Sequence, residues 1–419
     1  MSAGALHTWI TRHIAVRRRL GRMCTASLLF LMVATTKHAL KEAARFSGLH
    51  PSLFSTLLQS HSHVAIPPLD QLSKTQAREL AKALERVRGL PWKILLIIDA
   101  TLQHRASLHP ENAQTFNHGK GYVIGHQWTN IVLVLGAILI PLPPIPFYSK
   151  GYCRTQGLTY HSEHPRVVDY LKALALEAYL GAYDRREVVV LTESGYDDKK
   201  IEQAIAQQGW NFIIALGKTR NVTSTALSLS SSTSQPWLHV DTFCRRHRRL
   251  KWDTVRLQTS GNQRTRMDLR IRHTPGSLRH VGKVELVCSE RRNRLDGRRT
   301  YLACNDLRAT PRQIVTGYRL RGSVELWHKS VKQHLGFEDV ATHTFDAVVS
   351  HVHWVYCAYI LLHMSPPGLS PESQSVGDRQ RALQQGLADQ EKRHILQKLT
   401  QIGGVQRYKD ELRQALADA

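Results

Sequence analysis

Between Lys93 and Ile98 the chain reads KILLII, an unbroken apolar run that stops at Asp99. A strand buried on one face alternates apolar and polar residues, whereas a strand buried on both faces does not. The run therefore commits this region to the inside of a covered sheet. Glu187 to Leu191 (EVVVL), leading to Glu193, and Asn211 to Leu216 (NFIIAL) have the same character. Between them Asp198 to Gln208 is patterned as a helix that Gly209 closes. Asn130 to Leu142 is apolar enough for two more strands and too short to span a bilayer. Strands first, then strand–helix–strand, predict an α/β sheet.

The flanks differ. The region 1–90 reads as helical. Leu40, Ala43 and Ala44 share a face, Ser47-Gly48 makes a turn, and a second helix starts near Pro51 with Leu53, Leu57 and Leu58 inward. That is helix-turn-helix grammar, shared by DNA-binding modules and ordinary helical hairpins, and both readings stay open. Ser73 to Gly89 is patterned as another amphipathic helix. Ala26 to Ala34 follows Arg17, Arg18, Arg19 and Arg22 in the order of a signal peptide, but no clear cleavage site precedes Lys37. Residues 217–280 are rich in Ser, Thr and Arg, with a hairpin expected around Ser260-Gly261-Asn262, and read as a basic β-rich insertion. Core patterning returns over 281–364, and 365–419 reads as a linker and a polar helical tail.

Charge narrows the function. The 419 residues carry 57 Lys and Arg against 33 Asp and Glu, a formal charge of +24. Such an excess calls for a polyanion, most simply nucleic acid. A membrane-surface protein would need an amphipathic or lipid anchor, and no lipidation motif stands at either end, so no membrane partner is expected. The six cysteines include no Cys-x-x-Cys pair, which argues against a zinc ribbon or a disulfide framework and fits a reducing cytoplasm.

Three acids stand where chemistry needs them. Asp99 ends one buried run, Glu193 follows another, and Glu325 lies on a helix expected from Thr310 to Gly336, opened by a capping box of Thr310 and Gln313 with Pro311 at its first position. Carboxylates at strand ends face the crevice of an α/β sheet, where they suit Mg²⁺; they can equally be solvated acids. On one continuous helix Tyr318, Arg321, Glu325 and Lys332 would fall within a stripe of roughly 60°, with His328 beside it. One face then offers an acid flanked by cations and an aromatic, or an exposed ion-pair network.

The spacing Y-x2-R-x3-E-x6-K, here Tyr318, Arg321, Glu325 and Lys332, resembles the signature of one branch of the DDE-type bacterial insertion-sequence transposases. The His328-Lys329 pair, LLIIDAT around Asp99 and VVVLTESGYDDKKI around Glu193 agree with it, over about Lys93 to Met364. The resemblance implies a ribonuclease-H-like mixed sheet flanked by helices. It implies Asp99, Glu193 and Glu325 as the catalytic and metal-binding acids, holding two Mg²⁺ or Mn²⁺ ions. Tyr318, Arg321, His328, Lys329 and Lys332 would contact DNA, joined by Arg248, Arg249, Lys251 and Trp252 of the basic insertion. It also implies cutting at element ends, joining of the 3′-OH to target DNA, a homodimer in the synaptic complex, and a cytoplasmic, nucleoid-associated location.

Two positions depart from the pattern. The second acid of these transposases is an aspartate, and Glu193 carries its carboxylate one methylene further out. Mg²⁺ tolerates little error in ligand position. Asp197 or Asp198 could substitute for it. Gly322 stands where relatives often carry a large aromatic, and a glycine inside a helix costs about 1 kcal/mol. These leave a catalytically impaired, DNA-binding descendant as the alternative, and a nuclease without strand transfer as a third. His161 with His164, or His351 with His353, lack a cysteine partner for zinc; Gly119-Lys120-Gly121 lacks the P-loop spacing. Trp252 either stacks on an unpaired base or fills the core of the insertion.

Overall fold

A computed structural model describes residues 3–14, 18–34, 37–59, 62–85, 89–117, 121–224, 237–246, 252–258, 266–291, 299–340, 342–367, 369, 375–402 and 404–417. The chain falls into two compact units, Ser73–His328 and Met1–Leu72 with Lys329–Ala419. In order, the elements are α1 (Ala3–His13), α2 (Arg18–Val33), α3 (Leu40–Ser47), α4 (Pro51–Gln59), α5 (Ser62–Ala81), β1 (Ile94–His104), β2 (Gln114–Asn117), β3 (Tyr122–Leu135), β4 (Ile138–Pro141) and β5 (Ile145–Pro146). Then come α6 (Lys150–Thr155), α7 (Glu163–Ala173), α8 (Glu177–Leu180), β6 (Val188–Thr192), α9 (Lys199–Gln207), β7 (Asn211–Leu216), β8 (Asn221–Ser224), β9 (Leu238–His239) and α10 (Val240–Arg246). The rest are β10 (Asp253–Gln258), β11 (Arg266–Leu278), β12 (Gly282–Arg291), β13 (Arg299–Cys304), α11 (Pro311–Arg319), α12 (Gly322–His334), α13 (Phe345–His363), α14 (Val376–Ile402) and α15 (Val405–Ala417).

In the unit Ser73–His328 the described strands join one sheet, ordered β2-β3-β1-β6-β7-β13-β12-β11-β8-β9, with β4 and β5 paired to β3 and β10 to β11. β4, β3 and β1 run antiparallel in turn, and β1, β6 and β7 run parallel. This is the ribonuclease-H-like mixed sheet expected from the resemblance. The apolar runs are its centre: β6 is buried throughout, as is β1 from Ile94 to Asp99. Helices supply the cover such strands require, with α9 packed on β7, α7 on α9, and α11 on β7, β12 and β13.

The basic segment is no separate module. β10 pairs with β11 as the hairpin pattern predicts, the tip Ser260-Gly261-Asn262 lying outside the described residues. β11, β12 and β13 then pair in succession and rejoin β7, so the insertion prolongs the core sheet.

The expected single helix from Thr310 to Gly336 is two helices. The capping box of Thr310 and Gln313 forms as its sequence predicts. At the break the amides of Leu320, Arg321, Ser323 and Val324 reach carbonyls three residues back, a 3₁₀ turn that re-aims the chain before Gly322 opens α12. A Cβ on Gly322 would meet nothing within 4 Å, so the missing aromatic leaves no local defect.

The other unit is helical. α2 packs against α1, α3, α4, α13 and α14, so the run Ala26 to Ala34 is core. α3 and α4 form the expected helix-turn-helix, with Gly48 left-handed at φ 68°. Its inward set is Phe54, Leu57 and Leu58; Leu53, expected inside, is exposed, because a helix starting at Pro51 turns the i, i+3, i+4 stripe one residue along. α5 begins at Ser62 and ends at Ala81, earlier at both ends than expected. α13 is long and apolar enough to cross a membrane by length and composition, and is almost wholly buried within the protein. The tail is more than a linker: Gln380, buried, donates to the carbonyls of Leu31, Ala34 and His334, and Arg379 donates to that of Leu362.

Candidate active site

β1 and β6 are parallel neighbours with Ile98 opposite Thr192. The next residue on each is an acid, so register alone puts Asp99, midway along β1, beside Glu193, just past the end of β6. The 3₁₀ turn before α12 then delivers Arg321 and Glu325 to that point. Arg321 Nη1 lies 3.1 Å from Asp99 Oδ1 and 3.8 Å from Glu193 Oε2, while Nη2 donates to Glu325 Oε1 at 2.6 Å. One guanidinium thus gathers all three predicted acids.

The acids are not equivalent. Asp99 is buried; the side chains of Glu193 and Glu325 are 47% and 61% exposed. Burial, reinforced by Glu193, pushes the Asp99 carboxyl up to about 7, with Arg321 pulling the other way and Glu325 adding to the rise. Three carboxylates around one guanidinium carry an excess of negative charge. His328, also buried, places Nδ1 3.6 Å from Asp99 Oδ2. Its Nε2 receives the Asn130 amide at 2.9 Å, which leaves the ring proton on Nδ1, facing Asp99. Asn130 is in register with Asp99 across the β1–β3 pair.

Hard carboxylate oxygens focused on one cation suit Mg²⁺ or Mn²⁺ chemically, and a divalent ion would balance the excess charge. As placed, no three His, Cys, Asp or Glu side chains among the described residues are gathered into a metal cage. The arginine stands at their focus, so closure of the acids on a metal requires its side chain to swing away.

The other expected site residues separate. Tyr318 stands near Arg321, and burial raises its hydroxyl above the usual range against the pull of that guanidinium. His328, expected at DNA, is turned inward to Asp99, because Asn130 and Asp99 claim both its nitrogens. Lys329 is exposed on α12, and Lys332 pairs with Glu338 at 3.3 Å. The Trp252 ring carries the Arg272 and Arg270 guanidiniums 4.0 and 5.3 Å from its centroid. Arg248, Arg249 and Lys251 lie outside the described residues. Asp197 and Asp198 are committed elsewhere: Asp197 accepts from Gly217 N and pairs with Arg220, while Asp198 caps α9 and pairs with His164. His351 and His353 bond backbone carbonyls of Gly336 and Val349.

Asn130 was not singled out by the sequence, nor were Thr129 and Glu163, which hold the neighbouring turn. A signal existed: Thr129 and Asn130 are polar residues at the head of an apolar strand, and buried polar groups require partners.

An acid midway along β1, an acid just past the end of β6 and a third acid on α12 thus stand together on a ribonuclease-H-like sheet, the arrangement that the resemblance to the DDE transposases implies. Residues 165–361 match the family model described as Transposase DDE domain, a span that holds Glu193 and Glu325 and begins after Asp99. Over those residues the chain is similar to the DDE-type insertion-sequence transposases. No curated protein matches it.

Proposed function

We propose that this transposase cuts the phosphodiester bonds at the ends of its element and joins the freed 3′-OH to target DNA, with Asp99, Glu193 and Glu325 as the metal-binding acids. The meeting of these three side chains on Arg321 carries the proposal. Two Mg²⁺ or Mn²⁺ ions bound there would activate the attacking oxygen and stabilise the leaving one, without a protein nucleophile. His328 and Asn130 fix the orientation of Asp99, and Tyr318 steadies Arg321. The Arg321 guanidinium exchanges its carboxylate partners for a DNA phosphate, two of whose oxygens its fork can hold as it holds a carboxylate. Lys329 and Lys332 contribute further phosphate contacts from α12. The helix-turn-helix of α3 and α4 and the basic strands β10 to β12 bind the element ends. Synapsis of two ends calls for a homodimer, acting in the cytoplasm on nucleoid DNA.

The second reading is a descendant that binds DNA without cutting it. It is favoured by Glu193, which is the farthest of the three acids from Arg321. A ligand misplaced by about 1 Å costs on the order of 10²-fold in rate.

Cleavage of DNA carrying the native element ends, in Mg²⁺ or Mn²⁺, tests both. The carboxylate assignment predicts that the native protein cuts and Glu325→Ala does not. Cutting by Glu193→Asp alone would mark a disabled copy with the right site. Failure of all three despite tight DNA binding would leave the binding protein.

A further inference from the structure

We propose that Glu163 and His164, the first two residues of α7, are positioning residues for Glu193, an inference that rests on the carboxylate site proposed above. Glu193 opens a single 3₁₀ turn, Ser194–Tyr196, and its carbonyl accepts from Tyr196 N at 3.0 Å. Among the described residues its carboxylate meets only Arg321, at 3.8 Å. Its placement therefore depends on the turn that carries it, and a glutamate, with one more torsion than an aspartate, needs a firmer base to present its carboxylate repeatably.

Glu163 and His164 supply that base from two sides. Glu163 Oε1 accepts the Tyr196 hydroxyl at 2.6 Å and the Thr129 hydroxyl at 2.5 Å, and Oε2 accepts the Gln127 amide at 2.9 Å. Three donors satisfy the carboxylate and bind the turn to β3. His164 Nε2 meets the Gly195 carbonyl at 2.8 Å, and Nδ1 meets Asp198 Oδ2 at 3.1 Å. The two residues thus hold Gly195, Tyr196 and Asp198, which leaves the Glu193 side chain as the part that projects.

β3 connects this clamp to the first acid. Thr129 and Asn130 are consecutive on a strand and point to opposite faces. Asn130 reaches His328, which faces Asp99, and Thr129 reaches Glu163. One dipeptide therefore braces the supports of both acids. Glu163 and His164 precede the matched span 165–361, so the clamp lies outside the part of the chain that the family model describes.

The test is Mn²⁺ affinity of the full chain without DNA, read by electron paramagnetic resonance of free Mn²⁺. Glu163→Gln, His164→Asn and the milder Tyr196→Phe, which keeps the buried ring, should each weaken Mn²⁺ binding by about 10- to 100-fold, the range for groups that orient metal ligands. Duplex affinity in EDTA should not change. In a Glu193→Ala background the same substitutions should have no further effect. Wild-type Mn²⁺ affinity in all three single variants, or a loss that persists without Glu193, would overturn the proposal; the latter would make Glu163 a ligand in its own right. Glu325→Ala separates the levels. If it leaves Mn²⁺ binding intact the carboxylate site itself fails, whereas loss with Glu325→Ala and none with Glu163→Gln sinks the clamp alone.

Discussion

In the proposed carboxylate site Arg321 stands where a divalent cation would bind, which bears on its substitution. A guanidinium bonded to Asp99 and Glu325 competes with metal for the same oxygens. It also neutralises part of the charge that burial makes costly at Asp99. Arg321→Ala should therefore act in two directions. Without DNA, Mn²⁺ should bind several-fold more tightly, on the order of the strength of one charge-assisted hydrogen bond. Cleavage of element ends should fall, because the phosphate loses its bidentate partner. Titration of Mn²⁺ by calorimetry beside a cleavage assay reads both effects. Weaker Mn²⁺ binding in the variant would show that Arg321 supports the metal site rather than competing for it.

The elements around the site were unequally legible. β1, β6 and β7 could be read because two-sided burial leaves an unbroken apolar run, and the acids Asp99 and Glu193 could be read as the residues that end those runs. The break between α11 and α12 could not be read. Its turn is made of backbone bonds to carbonyls three residues back, and Leu320 and Arg321 are both good helix formers. Only Gly322 hinted at it. Contacts between residues distant in sequence were equally silent, as with Thr129 and Glu163, or the tail residue Gln380 on the end of α2. One such contact ties α9 to the loop after β7. Arg220 is bonded to both Asp197 and Glu202, and Glu202 is fully buried. Burial pushes the Glu202 carboxyl up to about 8, with Arg220 opposing and Asp197 adding to the rise. A carboxyl raised in the folded state holds its proton more tightly than in the unfolded chain. The stability this group contributes is therefore greatest at low pH and declines as pH rises from the ordinary carboxylate range through about 8. Glu202→Gln removes the titration, so its melting temperature should be flatter across this window and exceed that of the native protein above pH 8. Parallel melting curves at pH 5 and pH 8.5 would sink this account of the α9 anchor.

At the scale of the whole molecule the dominant quantity is the charge of +24. Little of the positive excess is spent on the active site, where the only described cation among the acids is Arg321. Several arginines of the prolonged sheet are internally engaged: Arg270 and Arg299 both pair with Glu290, and Arg272 covers Trp252. Glu290 therefore orders a row of guanidiniums on β11 and β13 while neutralising only one of them. Ordered cations on a rigid sheet release counterions from duplex DNA without needing base contacts. Binding should then be largely independent of sequence and of divalent metal. Measured in EDTA by fluorescence anisotropy, affinity for an unrelated duplex should fall by about 10³-fold or more between 50 and 200 mM salt, as for proteins making at least six phosphate contacts. Glu290→Gln leaves the fold's apolar contacts alone but loosens this row while raising net charge. Its affinity should change little despite the added charge, because an unordered arginine gains less per phosphate. A shallow salt dependence in the native protein would mean that the charge serves some partner other than the DNA backbone.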